Sequence, residues 1–336
     1  MITGPDHAGN RPAFERPDAP RPWEDDPQMI RRQGPSPLYY EASPNNRPTL
    51  QVEPGEVFEV VTQMNRGPDN SVVPDELRDE WSRHHSYEVE RANPSSGAIS
   101  VRGAEPGMAI EVLIEDMELA PVGYTTFAGT NPLFPSTPVT KPDLAAARVV
   151  RIRDGQVIWD RGLTIPARPM VGMVAVAPAH EAQSTVRVGH WGGNMDVQEV
   201  GPGARVRLVV NVPGALLHIG DVHAVQGDGE ISGTGIETSA LLRMRVELMK
   251  RPPEMIWPRI VTLDRIFAVA ADRPAERAFR VAVTELIRWL HADYGLEPRE
   301  AVLLLSQILE ARATQVVNPT ITYVAGVRRE LLRGLL

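Results

Sequence analysis

Cysteine is absent from the 336 residues of this chain. No disulfide can brace the fold, and no thiolate can act as nucleophile or metal ligand, so cysteine-dependent hydrolysis is excluded by composition. Lysine is almost missing as well: Lys141 and Lys250 are the two present. They stand in Lys141-Pro142 and in Lys250-Arg251-Pro252-Pro253, contexts that read as loop and argue against an activated lysine. No apolar run approaches the roughly 20 residues that a membrane span requires. The first residues, Met1-Ile2-Thr3-Gly4-Pro5-Asp6-His7, lack the basic and then apolar pattern of a signal peptide. These absences predict a soluble, cytoplasmic protein without a membrane partner. Basic clusters are lacking too, and the net charge is −8, which makes nucleic acid a poor partner.

What is present supports one large globular unit or two closely packed subdomains. Residues 1–37 are crowded with Pro, Asp, Arg and Gly, as in Pro17-Asp18-Ala19-Pro20-Arg21-Pro22. Such a segment has too little apolar surface to offset its ordering entropy, so a flexible arm is expected. Residues 38–270 carry short β-branched runs set between Pro-Gly and Gly turns. Strands are expected at 50–53, 57–61, 98–101, 109–114, 147–153, 173–177, 205–212 and 240–248. The fold class is therefore mainly β, sandwich- or barrel-like, with a C-terminal helical hairpin (α+β overall). Pro54-Gly55 and Pro106-Gly107 each precede an alternating run, which raises an internal duplication. From about 271 to 336 the pattern changes. Phe279, Ala282, Val283, Leu286 and Leu290 follow helical spacing, Gly295 ends that helix, and Pro298 opens a second one with Ala301, Leu304, Leu305, Ile308 and Leu309. A closing strand is expected near 320–327. His84-His85, in a charged stretch, reads as a solvated pair.

One region is unlike scaffold. Gly220 through Glu237 holds five glycines, four carboxylates, a His and a Gln within eighteen residues. In an extended strand over 217–225, Asp221 and His223 share a face. An Asp oxygen and an imidazole nitrogen together suit a divalent ion or an acid/base pair. Asp228-Gly229 is a turn signal that would put Glu230, Ser232 and Thr234 on the same face. Upstream, Gly192-Gly193-Asn194-Met195-Asp196 sets polar side chains on a flexible turn, with Asp196 as a third ligand and Asn194 as its amide partner. The plain alternative is that Asp221 caps a turn and His223 is a satisfied strand histidine.

These segments resemble the acetamidase/formamidase family. Gly192-Gly193-Asn194-Met195-Asp196 is similar to its Gly-Gly-Asn-x-Asp element. Gly220 through Glu237 is similar to its long signature, Gly-Asp-x-His-x-x-Gln-Gly-Asp-Gly-Glu followed by Gly-Thr-x-Ile-Glu. Arg168-Pro169-Met170-Val171-Gly172, Gly103 through Gly107, Trp257-Pro258-Arg259 and Gln315-Val316-Val317-Asn318 add shorter matches. The resemblance implies a β-rich fold with a small helical part, hydrolysis of formamide, acetamide or similar amides, metal near His223, and a homo-oligomer. Asn93-Pro94-Ser95-Ser96-Gly97 departs from the family pattern, which leaves the choice of amide open.

The expected scheme has Asp221, His223 and Asp196 binding a divalent metal, zinc first and calcium second. Glu230 acts as the base, with Asp228 and Gln226 beside it, and Asn194, Gly193 and Asn93 meet the substrate. Two rivals stand. One is a metal-free amidase with Thr234 as nucleophile and His223 as base; the other is a non-catalytic calcium-binding β-sandwich.

Overall fold

The computed structural model describes residues 30–86, 89, 91–127, 146–160 and 162–335. Two large sheets dominate it. In the nine-stranded sheet the long strands Met108–Leu119 and Ala240–Lys250 pair antiparallel at the centre. Val57–Val61 flanks them on one side and Arg205–Val209 on the other. The eleven-stranded sheet carries Met170–Ala175 and His218–His223, paired antiparallel. Apolar residues of both sheets meet in one cluster: Phe58, Ile110, Val112, Leu242 and Met244 from the first, Val171, Val174, Ile219 and Val222 from the second. This is a sandwich, and each such buried side chain contributes roughly 1.5–3 kcal/mol.

The strand Arg265–Asp272 explains why helices cover one side. Phe267, Val269 and Ala271 face the sandwich core, while Ile266, Ala268 and Ala270 join a second cluster under the helix Ala275–Tyr294. A strand buried on both faces reads as a continuous apolar run, not an alternation, and it is missing from the expected strands for that reason. It spans the boundary expected at about 271 and pairs with Ile321–Arg328. The helical part is thus joined to the sandwich through a shared sheet. Glu310–Gln315 adds a further strand at the sheet edge.

The helix Ala275–Tyr294 follows a cap at Pro274 and ends on Gly295, whose φ of 67° is left-handed. Its buried face is Ala278, Ala282, Leu286, Trp289 and Leu290, with Glu285 also buried. Phe279 is turned outward against Tyr323. Glu285 accepts from Arg259 Nε at 2.9 Å, an ion pair that ties the helix to the strand Arg259–Val261. The second helix runs from Pro298 to Ile308.

The arm expected over 1–37 lies outside the described residues as far as residue 29. Arg31–Gln33 is a strand, parallel to Val57–Val61, with Gln33 buried. The two Pro-Gly turns follow Leu50–Val52 and Ile99–Val101, which pair with each other in parallel. His85 is buried and stacked on Trp81 at 4.3 Å; it is not the solvated residue that the surrounding charges suggest. No helix among the described residues is long and apolar enough to cross a membrane.

Candidate functional site

The strand His218–His223 is buried along its whole length, so its polar side chains need partners inside the protein. Asp221 interrupts it with a left-handed backbone, φ 57°. The hairpin expected around Asp228-Gly229 does not form. His223 pairs instead with Glu237, and Val222 with Thr238, so that 224–236 is a folded loop closing over the strand. The loop returns a carboxylate to His223: Glu237 Oε1 lies 2.9 Å from Nε2, and Asp221 Oδ2 lies 3.6 Å from it.

The other ring nitrogen determines the tautomer. Gln226 Nε2 donates to the carbonyls of Asp196 (3.1 Å) and Thr314 (3.0 Å). Its Oε1 therefore accepts, at 2.8 Å, from His223 Nδ1–H. Nε2 makes no hydrogen bond of acceptable direction despite the short approach of Glu237. We read the pair as two atoms facing a common point, because a hydrogen bond requires alignment as well as distance.

Asp196, Asp221 and His223 offer ligand atoms within 4.8 Å of one another, as do His223, Glu230 and Glu237. All five are buried. The donors reaching Asp196 and Asp221 are neutral amides. Asn194 and Asn318 donate to Asp196 Oδ2 at 2.9 and 3.3 Å, and Asn65 donates to Asp221 Oδ1 at 3.2 Å. Among the described residues Asp196 Oδ1 and Glu237 Oε2 have no hydrogen-bond partner, while Asp221 Oδ2 faces His223 Nε2 at 3.6 Å. Four buried carboxyls thus share one imidazole. Burial pushes Asp196 well up, and Glu230 and Asp221 add to the shift. Glu230 is raised to about 8 by burial against the opposing pull of His223, and Glu237 is also raised by burial. Burial alone would lower His223, but Glu237 and Asp221 outweigh it and hold the ring well above its usual value. An acidic pocket with one imidazole and free oxygens is a chemical fit for a divalent cation.

The remaining expected residues divide. Asn194 binds Asp196, and Asn93 (φ 54°) hydrogen-bonds Asn65 at its margin. Gln226 orients His223. Asp228 is elsewhere: its side chain is 65% exposed and takes Arg312 Nε at 2.9 Å, because the turn that carries it points outward. Gly193 lies against the neighbouring strand, paired with Val188. A Cβ there would lie 1.9 Å from the Arg187 carbonyl, so its glycine is needed for strand packing. Thr234 Oγ1 is 2.9 Å from Thr125 Oγ1 and 3.0 Å from the Thr126 N–H. With His223 Nδ1 committed to Gln226, this geometry gives no Thr–His dyad.

Four participants were not singled out from sequence: Glu237, Asn65, Asn318 and Gly172. Glu237 closes the long signature, and a carboxylate within the apolar Ile236-Glu237-Thr238 was a signal available in the sequence. Asn65 carried none.

A Ser–His contact outside the cluster is structural. Asn46 Nδ2 donates to His218 Nε2 at 3.2 Å, so Nδ1–H donates to Ser95 Oγ at 3.0 Å, and Ser95 donates to the Gly97 carbonyl. The ring cannot then take the Ser95 proton. Burial lowers His218 to about 4, below its ordinary 6.5. The unfolded chain binds that proton first, so stability is fully present above pH 6.5 and is lost as pH falls toward 4. Urea unfolding across this window should show His218 contributing a loss of about 3 kcal/mol, and His218→Gln should remove that part of the slope. An unchanged slope in the variant would refute it.

The sequence profile of the Acetamidase/Formamidase family matches residues 164–256, a stretch that contains all five clustered residues. The structure is similar to the acetamidase of Yersinia enterocolitica, 32% identical with a TM-score of 0.78, covering 92% of this chain and 94% of that one. It is also similar to the acetamidase of Bacillus halodurans, 25% identical with a TM-score of 0.80, covering 90% and 99%. The acetamidase of Mycolicibacterium smegmatis is 40% identical over 104 residues, 31% of this chain and 25% of that one. Across the curated relatives it matches, the aligned stretches span 15% to 25% of their length.

Proposed function

Because this chain belongs to the acetamidase/formamidase family, we propose that it hydrolyses short linear amides, formamide, acetamide or similar, to a carboxylate and ammonia. The observation that carries the reading is the convergence of Asp196, Asp221, His223, Glu230 and Glu237 with free acceptor atoms and neutral partners. Asp196 Oδ1, Asp221 Oδ2 and His223 Nε2 would hold a divalent cation, zinc before calcium, because calcium prefers six to eight oxygen ligands and gains nothing from the imidazole. Such an ion would supply Lewis acidity that lowers the pKa of water toward neutrality.

The protein's own residues do the rest. Gln226 fixes the imidazole through Nδ1, so that Nε2 would present its lone pair to a cation that replaces the proton Glu237 and Asp221 favour there. Asn194 and Asn318 hold Asp196, and Asn65 holds Asp221, each in one orientation. Glu230, in its ionised form, takes a proton from the attacking water. It returns that proton to the departing nitrogen, giving ammonia and the carboxylic acid, which ionises by passing its own proton to ammonia or solvent. Burial of the cluster excludes bulk water and strengthens each of these interactions.

Ammonia release from formamide, acetamide and propionamide, measured before and after stripping with a chelator, tests the reading. Stripping should abolish release, and added zinc should restore it. Release that survives thorough stripping would overturn the metal-dependent route. Absence of release with metal bound would favour the calcium-binding sandwich.

A further inference from the structure

Two side-chain contacts to the cluster come from loops of the nine-stranded sheet, Asn318 to Asp196 and Asn65 to Asp221. After Val57–Val61 the chain leaves the nine-stranded sheet and runs through 62–67 to the site. Asn65 stands in this crossing, outside the 164–256 stretch that matches the family profile. Its side chain is fully used. Oδ1 accepts from the N–H groups of Asn93 (3.0 Å) and Arg66 (2.8 Å). Nδ2 donates to Asn93 Oδ1 (3.0 Å) and Asp221 Oδ1 (3.2 Å). Two donors and two lone pairs are all that an amide has. Both residues it grips have left-handed backbone, φ 54° at Asn93 and 57° at Asp221.

The crossing is braced on either side of Asn65. Thr62 and Ala240 exchange hydrogen bonds, Thr62 N–H to the Ala240 carbonyl at 2.9 Å and Ala240 N–H to Thr62 Oγ1 at 3.0 Å. The Arg66 carbonyl accepts from Tyr124 Oη at 2.7 Å, and Tyr124 is the strand partner of Glu237. The Gly67 N–H donates to His85 Nε2 at 3.2 Å. The loop is therefore pinned where its one short amide can reach the cluster.

We propose that Asn65 is a positioning residue for amide hydrolysis: by holding Asp221 Oδ1 it turns Oδ2 toward His223 Nε2, and Tyr124 holds Asn65 in place through the Arg66 carbonyl. The part of this inference that concerns the cation rests on the metal-hydrolase reading above. A carboxylate without such a donor can rotate about its terminal torsion, and the ligand geometry loosens with it.

The test uses the full chain with Asn65→Ala and Tyr124→Phe. It reads kcat and KM on the better of formamide and acetamide, and zinc affinity of the stripped protein by calorimetric titration. Asn65→Ala should lower kcat by about 10- to 100-fold and weaken zinc by about tenfold, the range for residues that orient metal ligands. KM should stay within about threefold, because Asn65 acts through Asp221 rather than on substrate. Tyr124→Phe keeps the ring and should shift both readouts the same way by a smaller factor.

A lower melting temperature with kcat and zinc affinity within about twofold of the parent would mean that Asn65 merely clasps its loop, and would overturn the proposal. Where Asn65→Ala fails to fold, Tyr124→Phe decides by the same criterion. A parent protein that turns over amide without binding zinc refutes the metal reading and leaves Asn65 to be judged on kcat. One that binds zinc without turnover refutes the amidase reading and leaves Asn65 to be judged on affinity. Neither activity nor binding in the parent overturns both.

Discussion

His223→Ala and Asp221→Ala should each lower amide turnover by at least about a thousandfold, equivalent to roughly 4 kcal/mol of transition-state stabilisation. Bound metal should be lost in the same step. His223 is the nitrogen donor of the cluster and lies between Asp221 Oδ2 and Glu237 Oε1; Gln226 holds its other face. Removing the ring takes away a ligand and leaves buried carboxyls facing one another. Asp221→Ala removes an oxygen that Asn65 holds in place. Metal content by atomic emission, kcat on formamide and acetamide, and circular dichroism for folding check the expectation. Full activity in either folded variant would sink the scheme. His223→Gln separates the calcium reading, since a site built only from oxygens would tolerate it.

Gly172→Ala should cost about a hundredfold in kcat although the variant adds one methyl group. A Cβ at this position would lie 2.6 Å from both Asp196 Oδ1 and Asp221 Oδ2, and 2.9 Å from the Asp221 carbonyl. The methyl group would occupy the cradle between two proposed ligands and spread them apart. A displacement of about 1 Å at a reacting centre is worth a factor of that size. The left-handed set of glycines does not include Gly172, so alanine meets a clash of space without a backbone penalty. Gly227→Ala is the matched control within the signature: among the described residues nothing lies within 4 Å of its Cβ, and its activity should stay within a few-fold of the parent. Equal kcat in the two variants would show that the space beside Gly172 does not matter to turnover.

Much of the fold was legible from local pattern. The strands over 57–61 and 240–248 alternate because one side of each faces the core. The helix boundary at Gly295 follows from its left-handed cap. Arg265–Asp272 was not legible, since a strand packed on both faces has no alternation to reveal it. The helix Ala275–Tyr294 buries Ala278, Glu285 and Trp289 rather than the expected Phe279, and Glu285 pairs there with Arg259.

The composition and spacing of 192–196 and 220–237 determined by themselves the chemical character of the site: clustered oxygens, one imidazole, no thiol and no lysine. They pointed to Asp196, Asp221, His223 and Glu230 because carboxylates among glycines are poor scaffold. Which residues share the centre was decided only by tertiary structure. Left-handed backbone at Asp196, Asp221 and Glu230 cancels the simple two-residue alternation on which a flat hairpin depends. The loop 224–236 carries Asp228 outward to Arg312 and returns Glu237 to His223. Asn65 and Asn318 lie 156 and 122 residues away from the carboxylates they hold. Separations of that length leave no trace in local pattern, because hydrogen bonds of this kind form only after two sheets have packed face to face.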